Sequence, residues 1–317
     1  MDKHKTFASV VIYVHNDAGI IQGFLEKVFC EIDALFEDYE FIFVNDHSTD
    51  AGVEVISEFV KDRPSGEFSL VNMGNFQGLE TSMKAGVDLA IGDFIFEFDT
   101  AVVDYDVSLI KEVFDMTGEG NDIVIASRKH AGVPSRAFHR LFNSFSSLNS
   151  PLSPRTFSVI SRRAVNRVDS MATIIPYRKA QYASSNLNLE YIAYSNDRKM
   201  RKRSVRSKKE RHSAVIDAVL LFTSISYKIS LFLTFFMALF MVLSGVYVIV
   251  TYLTEGPVSG WAPIMGIASA GFFGVFIIFS IIIKYLDLLL KIAFRRQSYL
   301  ISSVEKLKRS STARTEN

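Results

Sequence analysis

Two stretches near the C-terminal end, Leu231–Leu253 and Ile264–Ile283, restrict this chain more than any other feature: both are long and apolar, and neither holds a charged residue. As a helix, each is long enough to cross a hydrocarbon layer of ~30 Å. A helical hairpin buried inside a soluble protein seldom stays apolar over that length. The segment between them, TEGPVSGWAP (254–263), carries one acidic residue and no basic one. Basic residues flank the outer ends instead. Nine lysines and arginines lie within 198–211, and Lys284, Lys291, Arg295 and Arg296 follow the second stretch. The positive-inside rule therefore predicts that the N-terminal part and the C-terminus are cytoplasmic, and the expected location is the cell's inner (plasma) membrane, crossed more than once. The 254–263 loop is expected outside, with Trp261 at the outer interface. Ser213–Lys228 reads as an amphipathic helix on the inner surface, and the chain after Leu307 as a polar, disordered tail.

Residues 1 to about 195 follow a different pattern, strand and helix in turn. Ala8–Val14 is an apolar run ended by His15-Asn16-Asp17, and apolar residues then recur at helical spacing from Ile20 to Phe36. A second run, Phe41–Val44, stops abruptly in Asn45-Asp46-His47-Ser48-Thr49-Asp50. Further runs at 68–71, 93–99 and 123–126 alternate with helical stretches near 51–61 and 78–90. Alternation of this kind predicts an α/β domain with a mostly parallel sheet, whose ligand crevice lies beyond the carboxyl ends of the strands. The expected organisation is a cytoplasmic domain over 1–197, a basic juxtamembrane segment over 198–229, two membrane helices within 230–286 and a cytoplasmic tail over 287–317. A net charge of +1 argues neither for nucleic acid nor for a strongly acidic partner, and no nucleic-acid partner is expected. The single cysteine, Cys30, rules out an intrachain disulfide framework and is expected as a buried thiol on the apolar helical face. The start of the chain has too short an apolar run for a secretory signal. The histidines lack zinc-ligand spacing.

The strand ends carry a resemblance. SVVIYVHND (9–17) resembles the opening strand of family-2 glycosyltransferases, and FVNDHSTD (43–50) looks like their Val-Asp-Asp-Gly-Ser-x-Asp nucleotide motif. NFQGLETSMKAGVDLAIGDFIFEFD (75–99) resembles the segment leading to their Asp-x-Asp metal motif, with Gly78, Gly86 and Gly92 at matching distances from Asp99. RSKK (206–209), the hairpin and FRRQSYLI near the end resemble bacterial polyprenyl-phosphate sugar transferases and, more distantly, dolichyl-phosphate mannose synthase. The resemblance implies a GT-A nucleotide-sugar-binding domain followed by a two-helix transmembrane hairpin. It implies a hexosyltransferase that moves one sugar from a nucleotide-sugar donor to a polyprenyl phosphate, with inversion, for cell-envelope glycans such as lipopolysaccharide. On that reading Asp17 and Asp46 hold the base and ribose, and Asp99 faces a divalent cation, Mg2+ or Mn2+. Arg128, Lys202, Ser207 and Lys208 attract the acceptor phosphate or the donor diphosphate.

Several positions depart from the family pattern. Asp99 is followed by Thr100-Ala101, so the second carboxylate of Asp-x-Asp is absent, and Asp104 or Asp106 is the candidate replacement. Arg155-Thr156-Phe157-Ser158-Val159 stands where the family often reads Gly-Asp-Phe-Arg-Leu, which puts Thr156 in place of the supposed catalytic base. Asn45, Tyr13 and His47 replace an aspartate, a proline and a glycine. A second reading follows from these losses: a non-catalytic, glycosyltransferase-shaped subunit that binds nucleotide or a partner membrane protein. Homo-oligomerisation stays open. A processive synthase is excluded because the only tryptophan, Trp261, cannot complete a Gln-x-x-Arg-Trp motif. A dinucleotide-dependent dehydrogenase is excluded because no Gly-x-Gly-x-x-Gly follows the first strand.

Overall fold

The computed structural model describes residues 3–129, 155–171, 178–195, 225–254, 260–293 and 299–308. The chain falls into two units. Among the described residues the first contains eight strands: β1 (Ala8–Val14), β2 (Tyr39–Asn45), β3 (Glu67–Met73), β4 (Phe94–Phe98), β5 (Ile123–Arg128), β6 (Arg155–Ser161), β7 (Leu189–Tyr194) and β8 (Ile301–Lys308). Its helices are α1 (Ala18–Leu35), α2 (Gly52–Lys61), α3 (Leu79–Leu89), α4 (Leu109–Thr117), α5 (Arg162–Asp169) and α6 (Arg178–Ser184). The second unit holds α7 (Ile225–Thr254) and α8 (Trp261–Ala293).

The strands form one sheet in the order β7-β5-β6-β4-β1-β2-β3-β8. β1 pairs in parallel with β2 and β4, β2 with β3, and β5 with β7. β6 runs antiparallel to both β4 and β5, and β8 antiparallel to β3. The mostly parallel sheet is therefore as expected, with two reversals. Register aligns Val14 with Asn45 and Asn45 with Asn72, so three strand ends meet on one edge. Because β6 is reversed, its first residues, Arg155 and Thr156, arrive at that same edge.

Alternation along each strand divides the apolar side chains between two layers. Val10, Ile12, Phe41, Phe43, Phe96 and Phe98 pack with apolar residues of α1, α2 and α4. Val11, Ile42, Val44, Ile95 and Ile125 face α3 and α5. Each fully buried large apolar side chain contributes about 1.5–3 kcal/mol. Gly86 lets α3 lie close to the sheet: a Cβ there would stand 2.5 Å from both Val11 Cγ1 and Val44 Cγ2. In α1 the buried set is Ile21, Phe24, Leu25, Val28, Phe29, Ile32 and Leu35. Cys30 is not among them. It is exposed, contrary to expectation, because it sits one residue, about 100° of helix rotation, past Phe29.

The C-terminal segment also differs from expectation. Within the segment expected only as a cytoplasmic tail (287–317), residues 301–308 form an edge strand that covers β3, and the residues after Lys308 lie outside the described ones. Tyr299–Leu300 leads into this strand, and Gly74 N donates to the Leu300 carbonyl at 2.8 Å. In the second unit, Ser230–Thr254 and Ile264–Leu286 are long and apolar enough to cross a membrane, and 0% and 11% of their most apolar windows are buried. Apolar surface left uncovered over this length is consistent with membrane association. Between them, Thr234 Oγ1 and Ser230 Oγ each lie 2.8 Å from Ser280 Oγ, the small-polar contact expected of packed membrane helices. The basic run at 198–211 and most of the proposed amphipathic segment lie outside the described residues.

Candidate active site

The edge where β1, β2, β4, β5 and β7 end holds three polar clusters. The first joins the ends of β1 and β2. Asp46 is fully buried. Its Oδ2 accepts from the Tyr13 hydroxyl at 2.8 Å and from Gly78 N at 2.9 Å, and its Oδ1 accepts from Gln77 N at 2.8 Å. Gly78 supplies its amide from a left-handed backbone, φ +83°, which is why glycine suits the position. The Gln77 side chain closes two further bonds, donating to the Leu300 carbonyl at 2.7 Å and accepting from Leu300 N at 2.8 Å. Asp46 thus assembles the 77–78 turn. Asn16 and His47 both sit at positive φ, 54° and 56°, and Asn16 Oδ1 accepts from Thr49 N at 2.8 Å. Asp50 accepts from Ala18 N at 2.8 Å and Gly52 N at 3.1 Å, tying the starts of α1 and α2 together. Asp17 is part-exposed at the end of β1 and accepts from His15 N at 3.3 Å. Beside it, the His15 and Phe76 rings lie 4.8 Å apart.

The second cluster centres on Asp99 and was not foreseen. Glu97 is wholly buried on β4, directly opposite Ser158 on β6. Its carboxylate accepts from Arg155 Nη1 at 2.5 Å, Arg178 Nη1 at 2.9 Å, the Tyr182 hydroxyl at 2.8 Å and Ser158 Oγ at 3.1 Å. Asp99 Oδ1 accepts from Arg155 Nη2 at 2.5 Å and Arg178 Nη2 at 2.8 Å, and Oδ2 from Arg155 Nε at 3.0 Å. Arg178 also pairs with Glu80 of α3 at 3.2 Å. Burial pushes the Glu97 carboxyl upward, but the charges of Arg155 and Arg178 outweigh it and hold the group below its ordinary value of 4.5. Burial and the Glu97 charge push the Tyr182 phenol far up, so it stays a donor.

In the third cluster, Asp104 is buried and accepts from the Tyr194 hydroxyl at 2.9 Å. Arg128 Nε lies 2.9 Å from the other Asp104 oxygen but aims its N–H at the Tyr194 oxygen, 3.2 Å away. That Asp104 oxygen gains an ion pair without a hydrogen bond. Thr156 Oγ1 is 2.6 Å from Tyr194 Oη. Since the tyrosine proton goes to Asp104, threonine is the donor. Burial first, and the nearby Asp104 charge, raise the tyrosine to about 12.

The structure therefore brings Asp104, Arg128 and Thr156 together, keeps Asp17 at the crevice and takes Asp46 into the scaffold. Lys202, Ser207 and Lys208 lie outside the described residues. Glu97, Arg155, Arg178, Tyr182 and Tyr194 were not anticipated. A charged residue inside the apolar run Phe94-Ile95-Phe96-Glu97-Phe98 is the signal that marks the first of them. Nothing in the spacing announces Arg178.

Residues 9–177 match the family described as Glycosyl transferase family 2. The chain belongs to that family. This family 2 transferase is similar to an uncharacterised glycosyltransferase of Bacillus subtilis (strain 168), YkcC, with 22% identity over 95% of this chain and 94% of the relative. It is also similar to the prophage bactoprenol glucosyl transferase homolog of Escherichia coli (strain K12), with 28% identity over 51% of this chain and 55% of that one. An undecaprenyl-phosphate 4-deoxy-4-formamido-L-arabinose transferase of Edwardsiella ictaluri (strain 93-146) matches at 26% identity over 37% of this chain and 36% of its own. Among solved structures, a crystal structure of glucosyl-3-phosphoglycerate synthase from Mycobacterium tuberculosis, in complex with Mn2+, uridine diphosphate and glucosyl-3-phosphoglycerate, aligns with TM-score 0.50 at 14% identity. The alignment covers 68% of this chain and 78% of that one. The first unit of this family 2 transferase is thus a GT-A fold, and the protein is an enzyme of the glycosyltransferase type.

That neighbour holds Mn2+, and a divalent cation was expected at Asp99. The residues around Asp99 do not fit one as they stand. Both of its oxygens accept from guanidinium groups, Asp104 is engaged with Tyr194 and Arg128, and position 101 is alanine. Among the described residues, no group of three or more His, Cys, Asp or Glu is placed to hold a metal.

Proposed function

We propose that this transferase moves a sugar from a nucleotide-sugar donor onto a polyprenyl phosphate at the cytoplasmic face of a plasma membrane, for a cell-envelope glycan such as lipopolysaccharide. The observation that carries the reading is α7 and α8: a glycosyltransferase unit shares its chain with two helices fit to span a bilayer. A polyprenyl acceptor is confined to the membrane, so an enzyme that uses it has to work there. The undecaprenyl-phosphate and bactoprenol relatives support this acceptor class, and the uridine diphosphate in the structural neighbour supports the donor class.

In this proposal an oxygen of the acceptor phosphate forms the bond to the anomeric carbon. The bond from that carbon to the donor diphosphate breaks, and its electron pair leaves with the nucleoside diphosphate. A phosphate acceptor is already ionised near neutral pH and needs no base to remove a proton, which suits Thr156 in the place of a carboxylate. Asp17 contacts the nucleotide at the β1 end. Arg128, Lys202, Ser207 and Lys208 draw the two phosphate groups together. The first unit, with β8, lies on the cytoplasmic side and the 254–263 loop outside.

The test is sugar transfer to added polyprenyl phosphate by the detergent-purified full chain, supplied in turn with UDP- and GDP-sugars. Lipid-linked sugar with release of the nucleoside diphosphate is expected from at least one donor. No product from any donor, with the protein folded and nucleotide bound, overturns the proposal.

A further inference from the structure

We propose that Arg155 and Arg178 close the Asp99 carboxylate to divalent cations, so that this transferase takes no metal ion at Asp99 and binds its nucleotide equally well with and without Mn2+. The inference rests on the transferase reading only in its nucleotide arm.

Coordination requires lone pairs aimed at the cation. A carboxylate offers about four such sites, and three N–H groups from two guanidinium groups already point at Asp99. Arginine does not deprotonate to make room. A cation entering here would also meet two fixed positive charges within hydrogen-bond distance of its ligand. Glu97, the neighbouring carboxylate on the same strand face, offers no alternative, because four donors already converge on it. The four innermost groups, Glu97 and Asp99 with Arg155 and Arg178, balance in charge. A divalent ion added to them would leave its charge uncompensated except by Glu80, which is itself paired with Arg178. Moving either arginine aside would strand a buried charge without its partner, which is strongly unfavourable. The requirement for positive charge near the donor diphosphate then falls on the cations of the chain itself.

The experiment uses the full chain in detergent and Mn2+ alone as the first probe, with free Mn2+ followed by its EPR signal. Wild type and Asp99→Asn are both expected to take up no stoichiometric Mn2+. Arg178→Gln, which withdraws one of the two guanidinium groups, is expected to gain at least about tenfold in Mn2+ affinity. UDP and GDP are then titrated by calorimetry in Mn2+ and in EDTA, with dissociation constants expected to agree within about threefold. The proposal is overturned if wild type binds one Mn2+ per chain and Asp99→Asn abolishes it. It is equally overturned if Mn2+ tightens nucleotide binding tenfold or more in wild type but not in Asp99→Asn. Should Arg178→Gln fail to fold, the comparison of wild type with Asp99→Asn still decides. If neither nucleotide binds in either condition, the transferase reading fails, and the nucleotide-free Mn2+ titration decides this inference by itself.

Discussion

Replacing Glu97 by glutamine keeps its shape and removes its charge, which isolates what the buried network contributes. The wild-type carboxylate is 0% exposed and accepts from two guanidinium groups and two hydroxyls. A glutamine offers one acceptor oxygen and turns an NH2 group toward donors it cannot satisfy. Arg155 and Arg178 are then left to share Asp99, with Glu80 for the second. Breaking a buried pair in this way costs about 3–5 kcal/mol. For a unit of this size each kcal/mol lowers Tm by roughly 2–4 °C, so the expected loss is roughly 6–20 °C. Near-UV circular dichroism of the full chain in detergent reads it, since tyrosine packing in the first unit reports tertiary structure. The acid limb supplies a second check. The folded-state Glu97 carboxyl lies below its ordinary value of 4.5, so its stabilisation is complete above 4.5 and is lost as pH falls through the folded value. The gap between wild type and Glu97→Gln is therefore widest near neutrality and narrows below 4.5. A Tm within about 2 °C of wild type at neutral pH, less than 1 kcal/mol by the same scale, would refute the argument. So would a gap that widens on acidification.

Asp46→Asn should cost about 1–3 kcal/mol by setting an NH2 against one of three donors, and it should weaken UDP or GDP binding through the displaced 77–78 turn; an unchanged melting curve counts against the scaffold role. Gly86→Ala should lose about 1–3 kcal/mol, because the new methyl group meets Val11 and Val44 at 2.5 Å, and denaturant unfolding measures it. Cys30, the one cysteine and exposed, is a native topology reporter. A membrane-impermeant maleimide should label it in inverted vesicles and leave it unlabelled in intact spheroplasts, and the opposite result would reverse the proposed orientation.

Much of the fold was legible because its signals are local. β1 ends at Val14 where His15-Asn16-Asp17 begins, and the apolar stripe of α1 follows the helical period. The resemblance to a glycine at position 47 carried backbone information as well. His47 adopts φ 56°, a left-handed turn that costs a non-glycine residue roughly 1–2 kcal/mol, which explains why a glycine suits the motif. The reversals of β6 and β8 were not legible, because strand direction depends on pairings between distant segments. Asn72, for example, donates to Ser303 at 3.0 Å across 231 residues of sequence. Cys30 was misplaced because a stripe of apolar residues does not locate its own margin to within one residue.

The polar strand ends were legible in the sequence, but the partners their side chains take were not. Read one position at a time, Ala101 for aspartate, Ser158 for arginine and Thr156 for aspartate are three losses, and they point to a decaying motif. In space two of the changes belong together. Arg155, where the family pattern has glycine, sends its Nη1 to within 3.2 Å of Ser158 Oγ, where the pattern has arginine. The guanidinium in this chain comes from three residues earlier on β6 and lies against Ser158. Glu97, a charge inside an apolar strand, faces it from β4, and Arg178 completes the pairing from α6. Any one of these residues alone would be a buried charge without a partner, at a cost of several kcal/mol. Together they form a neutral, hydrogen-bonded quartet. Carboxylates matched by as many arginines leave the cluster balanced in charge without any further ion.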